Sequence, residues 1–75
     1  MRNSILEIGE TIRERRELLG LLQPQLSEIA GVSTRTIQLV EQGKGNPSLQ
    51  TLIKLIHPLG LSITIEIRDT AQNKK

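Results

Sequence analysis

The chain has 75 residues, of which 36% are hydrophobic, with no Phe, Trp, Tyr or Cys. That length allows one domain burying only about 60% of its unfolded surface, its core must be aliphatic, built mostly from ten Ile and twelve Leu, and disulfides, thiolate metal sites and Cys nucleophiles are excluded. A net charge of +2 permits a nucleic-acid partner without requiring one.

A single His, His57, cannot build a metal site without several carboxylates beside it, so neither metal nor cofactor is expected. The most apolar run, 18–22, is interrupted at Gly20 and falls far short of the ~20 apolar residues of a membrane span. The start of the chain lacks an apolar secretory region and Cys is absent, so a cytoplasmic location is expected. Oligomerisation is then the remaining extra source of stability for so small a core.

In chain order, Ile5, Ile8, Ile12 and Leu19 recur at helical spacing, with Glu7, Glu10, Arg13, Glu14 and Glu17 between them, which predicts an amphipathic helix over 5–19 capped by Ser4. The glutamates read as a solvated face pairing locally with Arg13, Arg15 and Arg16. Gly20 supplies a stop, and Pro24 fits only the first turn of a new helix. A short second helix over 23–30 is predicted, with Leu26, Ile29 and Ala30 inward and Gly31 as the turn. Ser33 caps a third helix running from Thr34 to Glu41 and closing at Gly43.

Residues 44–47 read as a loop, and Ser48 caps a fourth helix in which Leu49, Leu52, Ile53 and Ile56 repeat. Pro58 and Gly60 should end it, Pro58 because it cannot donate to residue 54. His57 reads as a helix-end residue that complements the dipole. Residues 61–68, Leu-Ser-Ile-Thr-Ile-Glu-Ile-Arg, alternate apolar and polar without a slip, which predicts a strand. Residues 69–75 carry no pattern and read as a disordered tail.

Two short helices joined through Gly31, the second polar and cationic at its start, suggest a helix-turn-helix whose second helix enters a DNA major groove. Thr34, Arg35 and Gln38 are the exposed donors and acceptors, and Arg35 suits a guanine because its fork can bond O6 and N7 together. No second segment has period-two patterning, so a strand at 61–68 needs its partner from another chain. The simplest closed arrangement is an antiparallel two-fold pair in a homodimer, with Leu61, Ile63, Ile65 and Ile67 packed on the helices of both copies. Addition to the sheet edge of a different protein is the competing use. Ser27, Ser33 and Ser48 lack a nucleophile-elbow setting and triad partners, so no enzyme is expected.

The run Gly-Leu-Leu-Gln-Pro-Gln-Leu-Ser-Glu-Ile-Ala-Gly-Val-Ser-Thr-Arg-Thr-Ile over 20–37, continuing through Glu41, Gly43 and Pro47, resembles the XRE (Cro/C1-type) helix-turn-helix family over roughly residues 8–60. With its appended strand the chain is most similar to HipB-like antitoxins. The resemblance implies a mainly α, four-to-five-helix lambda-repressor-like domain, here residues 1–68, with one C-terminal β-strand that pairs across a homodimer. It implies base reading by Thr34, Arg35, Gln38 and Leu39. Phosphate contacts are implied for Gln23, Lys44 and the helix termini, where Ser33 and Thr36 stand at the start of the third helix. A partly buried ion pair between Arg16 and Glu41 is implied as well. The implied function is a repressor that binds a palindromic operator in double-stranded DNA and doubles as antitoxin to a HipA-like kinase toxin. Two readings stay beside it: a free-standing repressor without a toxin, and a protein-binding module that no longer reads DNA.

Two positions depart from the family pattern. Leu22 stands where a hydroxyl or amide cap is usual, so Gln25 should compensate by reaching back as half a capping box. Leu39 replaces an often polar reader and would either meet a thymine methyl or pack inward.

Overall fold

The computed structural model describes residues 4–67. Four α-helices follow in order, α1 (Ile5–Leu18), α2 (Gln23–Ala30), α3 (Thr34–Glu41) and α4 (Leu49–Ile56), and a 3-10 turn (His57–Leu59) closes the helical body. Three serines set three of the helix starts. Ser4 Oγ accepts from Glu7 N at 3.1 Å while Glu7 Oε1 accepts from Ser4 N at 3.3 Å, a complete capping box. Ser33 and Ser48 accept from the amides of Thr36 and Thr51 at 3.0 and 3.1 Å. At α2 the expected half box is present, with Leu22 N donating to Gln25 Oε1 at 2.8 Å.

Nine aliphatic side chains make the core: Ile12, Leu26, Val32, Ile37, Val40, Leu52, Leu55, Ile56 and Leu59. Ile8, Leu21, Ala30 and Leu61 pack against it from the edges. Pro58 acts as expected, since α4 stops at Ile56 and tightens into the 3-10 turn. Expectations for four apolar positions are corrected. Ile29 is 58% exposed because the inner stripe of α2 runs through Leu26 and Ala30, leaving Ile29 on its flank. Leu19 lies past the last turn of α1, where Gly20 N and Leu21 N turn back onto Glu17 O and Arg16 O, both at 3.0 Å, so it leaves the apolar stripe. In α4 the buried stripe is Leu52, Leu55 and Ile56, which rotates Leu49 and Ile53 to the rim.

Gly9 permits a direct backbone contact between two helices. A Cβ there would fall on the carbonyl oxygen of Val40, so the backbones of α1 and α3 touch directly where they cross. Gly43 ends α3 at φ 72° and lies against Leu6. A Cβ added at Gly43 would stand only 2.8 Å from Leu6 Cα, so both its conformation and its space require glycine.

Residues 61–67 form no strand within the described chain, which corrects the strand expected over 61–68 at the level of a single copy. Their alternation is intact, but a ladder needs a neighbouring strand and none exists among the described residues. Leu61 still packs on the core, whereas Ile65 and Ile67 are 87% and 99% exposed. Arg68 and the tail expected over 69–75 lie outside the described residues. Among the described residues no helix is long and apolar enough to cross a membrane, and no group of three or more His, Asp or Glu could hold a metal ion.

Candidate DNA-recognition face

The face is built on α3. Its buried stripe is Ile37, Val40 and Glu41, and at 3.6 residues per turn the opposite side carries Arg35, Gln38 and Leu39, with Gln42 one turn beyond Gln38. Arg35 and Gln42 are exposed, and Thr34, Gln38 and Leu39 are half-buried. Leu39 is thus not a core residue, and part of its surface remains on the outward side. Gln42 escaped sequence reasoning because it follows the helix proper as its C-cap, although its spacing of four from Gln38 was a usable signal.

At the start of α3, Ser33 Oγ accepts from Thr36 N and donates to Thr36 Oγ1 at 2.9 Å. The serine's one hydrogen is therefore engaged, and the hydrogen of the Thr36 hydroxyl remains available for an outside acceptor. The first turn of α4 repeats this arrangement through Ser48 and Thr51, with 3.0 Å between their hydroxyls. Thr36, Leu39 and Lys44 line one surface depression together with Asn46, Ser48 and Thr51. Lys44 is exposed there, on the turn in which its own N–H donates to Leu39 O at 2.8 Å. The sequence singles out Thr36 and Lys44 but not Thr51, which lines the same depression because the loop over 44–47 folds the start of α4 beside α3.

Behind this face stands a buried ionic joint. Glu41 at the end of α3 accepts from Arg16 Nε at 2.7 Å on Oε2 and from Arg16 Nη2 at 3.0 Å on Oε1, a two-pronged pairing that fixes both distance and plane. Arg16 Nη1 also donates to Leu21 O at 2.7 Å, in the turn between α1 and α2. Gln23 Nε2 donates to Glu41 Oε1 at 3.0 Å, which ties the first residue of α2 to the same carboxylate. One of Gln23's two amide hydrogens is thus held inside the protein, and only the other can reach an outside acceptor.

No buried side-chain nitrogen or oxygen among the described residues lacks a partner. The hydrogen bond to Glu41 raises the Arg16 pKa above its ordinary value, against the opposing effect of burial. A raised cationic pKa contributes its full stabilisation at every pH below the ordinary arginine range, so Arg16 introduces no loss of stability anywhere near neutral pH. The local pairing expected along α1 is present between Arg16 Nη2 and Glu17 Oε2 at 3.9 Å, while Arg15 reaches further and donates from Nε to Leu59 O at 2.8 Å.

Residues 12–65 match the HTH_3 helix-turn-helix family model. The chain belongs to the XRE-type helix-turn-helix family. This helix-turn-helix chain is 43% identical over 58 residues to an uncharacterised HTH-type transcriptional regulator of Haemophilus influenzae. It is 36% identical over 56 residues to the HTH-type transcriptional regulator PuuR of Escherichia coli. The matched parts are 77% and 75% of this chain but 58% and 30% of those relatives. Among solved structures, the restriction-modification controller protein C.AhdI of Aeromonas hydrophila superimposes with a TM-score of 0.72 at 31% identity, covering 77% of this chain and 88% of that one.

Proposed function

We propose that the chain is a sequence-specific DNA-binding transcriptional repressor that works as a homodimer. The observation that carries this reading is the outward row of Arg35, Gln38 and Leu39 on a helix whose inner side is locked by Glu41 to α1 and α2. The regulators among its relatives support it. In this reading α3 enters the major groove and Thr34, Arg35, Gln38 and Leu39 meet base edges. Ser33 holds the Thr36 hydroxyl in place, and Thr36, Lys44 and the second amide hydrogen of Gln23 meet phosphates and set the register. Dimerisation through 61–67 places two copies of α3 about one DNA turn apart, ~34 Å, over a palindromic site.

Within that function, the extended alternation after α4 supports the narrower assignment, a HipB-like antitoxin that represses its own operon and binds a HipA-like kinase toxin. Co-expression with a kinase encoded beside it tests this: a stable complex supports the antitoxin, and the absence of both kinase and complex leaves the free-standing repressor.

The DNA reading is tested with a labelled duplex from immediately upstream of the coding sequence, against scrambled DNA of equal length. Arg35→Ala is expected to weaken the specific complex by about 1 to 3 kcal/mol, roughly five- to 150-fold, while leaving weak binding to scrambled DNA nearly unchanged. Equal loss on both duplexes would reduce Arg35 to a phosphate contact. Ile65→Lys is expected to abolish the dimer and specific DNA binding together without loss of helix content, since Ile65 is 87% exposed in the single chain. A fully dimeric, fully binding Ile65→Lys protein would remove segment 61–67 from the interface.

A further inference from the structure

On the side of the molecule formed by α1 and α4, Ile8, Ile12, Leu49, Leu52 and Ile56 line an open groove of about 640 Å³. Leu61, Ser62 and Ile63 of the same chain occupy its margin. Beyond Ile63 the chain has left the groove, which is why Ile65 and Ile67 are almost fully exposed. The α1 margin is acidic, with Glu7, Glu10 and Glu14 along it.

An apolar groove requires an apolar occupant. The last eight residues of the chain cannot supply one, because Ala71 is their only apolar side chain. They do supply charge: Arg68, Lys74 and Lys75 against Asp69 leave a net +2, which outweighs the single negative charge of Glu66 between the two isoleucines. A segment that enters apolar side first and is followed by positive charge therefore matches a groove with an apolar floor and an acidic margin, and this chain carries such a segment at Ile65 and Ile67.

We propose that the α1–α4 groove is the seat for a second copy of this chain. Ile65 and Ile67 of each copy enter the groove of the other, and the glutamates of α1 attract the basic residues that follow Ile67. The exchange is reciprocal, as a two-fold interface requires. The inference rests on the homodimer proposed above and adds where the partner's isoleucines go. Because its charged part lies at an open margin, dimer affinity should fall as salt rises.

The absence of native Cys allows a direct test on the full-length chain. Thr11 lines the groove and is exposed. Thr11→Cys protein is mixed with a mass-tagged Ile65→Cys protein under mild oxidation, and a disulfide between the two species is expected. Separately, Glu10→Lys with Glu14→Lys should raise the dimer dissociation constant at least tenfold at low salt. Adding Arg68→Glu, Lys74→Glu and Lys75→Glu to that variant should restore it. Circular dichroism confirms the helix content of each variant. A dimer that forms without the mixed disulfide and ignores the charge changes would overturn this seat and leave strand pairing intact. A wild-type chain that stays monomeric would overturn both.

Discussion

Glu41→Ala is expected to lower the unfolding free energy by about 3 to 5 kcal/mol, because it leaves the Arg16 guanidinium buried without its counter-charge. The whole stability of a 75-residue domain is about 4 to 11 kcal/mol. The substitution should therefore consume a large part of it and can unfold the chain at low concentration. Three links break together: both prongs from Arg16 and the bond from Gln23 Nε2 all end on this one carboxylate.

Urea unfolding followed by far-UV circular dichroism measures the loss, since the chain has no aromatic fluorophore. A change below about 1 kcal/mol would mean that the pair is solvated in solution. The double replacement Arg16→Met with Glu41→Leu removes both charges, so it should be less damaging than Glu41→Ala alone. Recovery will be partial, because Leu21 O and Gln23 Nε2 still lose their partners.

Gly9→Ala is the second large effect, and its sign runs against helix propensity. In an exposed helix interior the change would stabilise by about 1 kcal/mol. Here the added methyl meets the Val40 carbonyl oxygen and comes within 3.1 Å of Val40 C and 3.2 Å of Glu41 C. All three are backbone atoms, which cannot swing aside as a side-chain tip could. The helices must separate, and a net loss of about 3 kcal/mol is expected. Because the contact lies beside Glu41, the shift should also loosen the ionic joint and weaken DNA binding more than the stability loss alone implies. An Ala variant as stable as the wild type would show that the crossing of α1 and α3 has room for a methyl group.

What could be read from the sequence depended on whether the signal was local. Ser4, Ser33 and Ser48 mark helix starts by bonding amides three residues on, and Pro58 marks an end by lacking a donor, so the elements were legible at their boundaries. The outward face of α3 followed from the same periodicity. Arg16 and Glu41 are 25 residues apart, and no local pattern links them; only the family resemblance brought them together. Gly9 was overlooked although it lies on the inner stripe of α1 with Ile5, Ile12 and Arg16. A glycine where a large apolar side chain is due signals a close backbone approach.

Ile29 and Leu55 show the limit of periodicity on eight-residue helices, where a small rotation exchanges a core position for a rim position. Segment 61–67 shows a different limit. Its period of two describes a side-chain pattern, whereas a strand also requires a neighbour, and among the described residues the chain contains none.

Selection of bound duplexes from a randomised DNA library by the full-length protein tests the central claim most directly. The account predicts enrichment of a two-fold symmetric site with half-site centres about 10 base pairs apart. Affinity for that site should be roughly 10³-fold or more above random DNA and should fall steeply with salt. A library that stays random after repeated rounds at low salt, with a folded and dimeric protein, would contradict it.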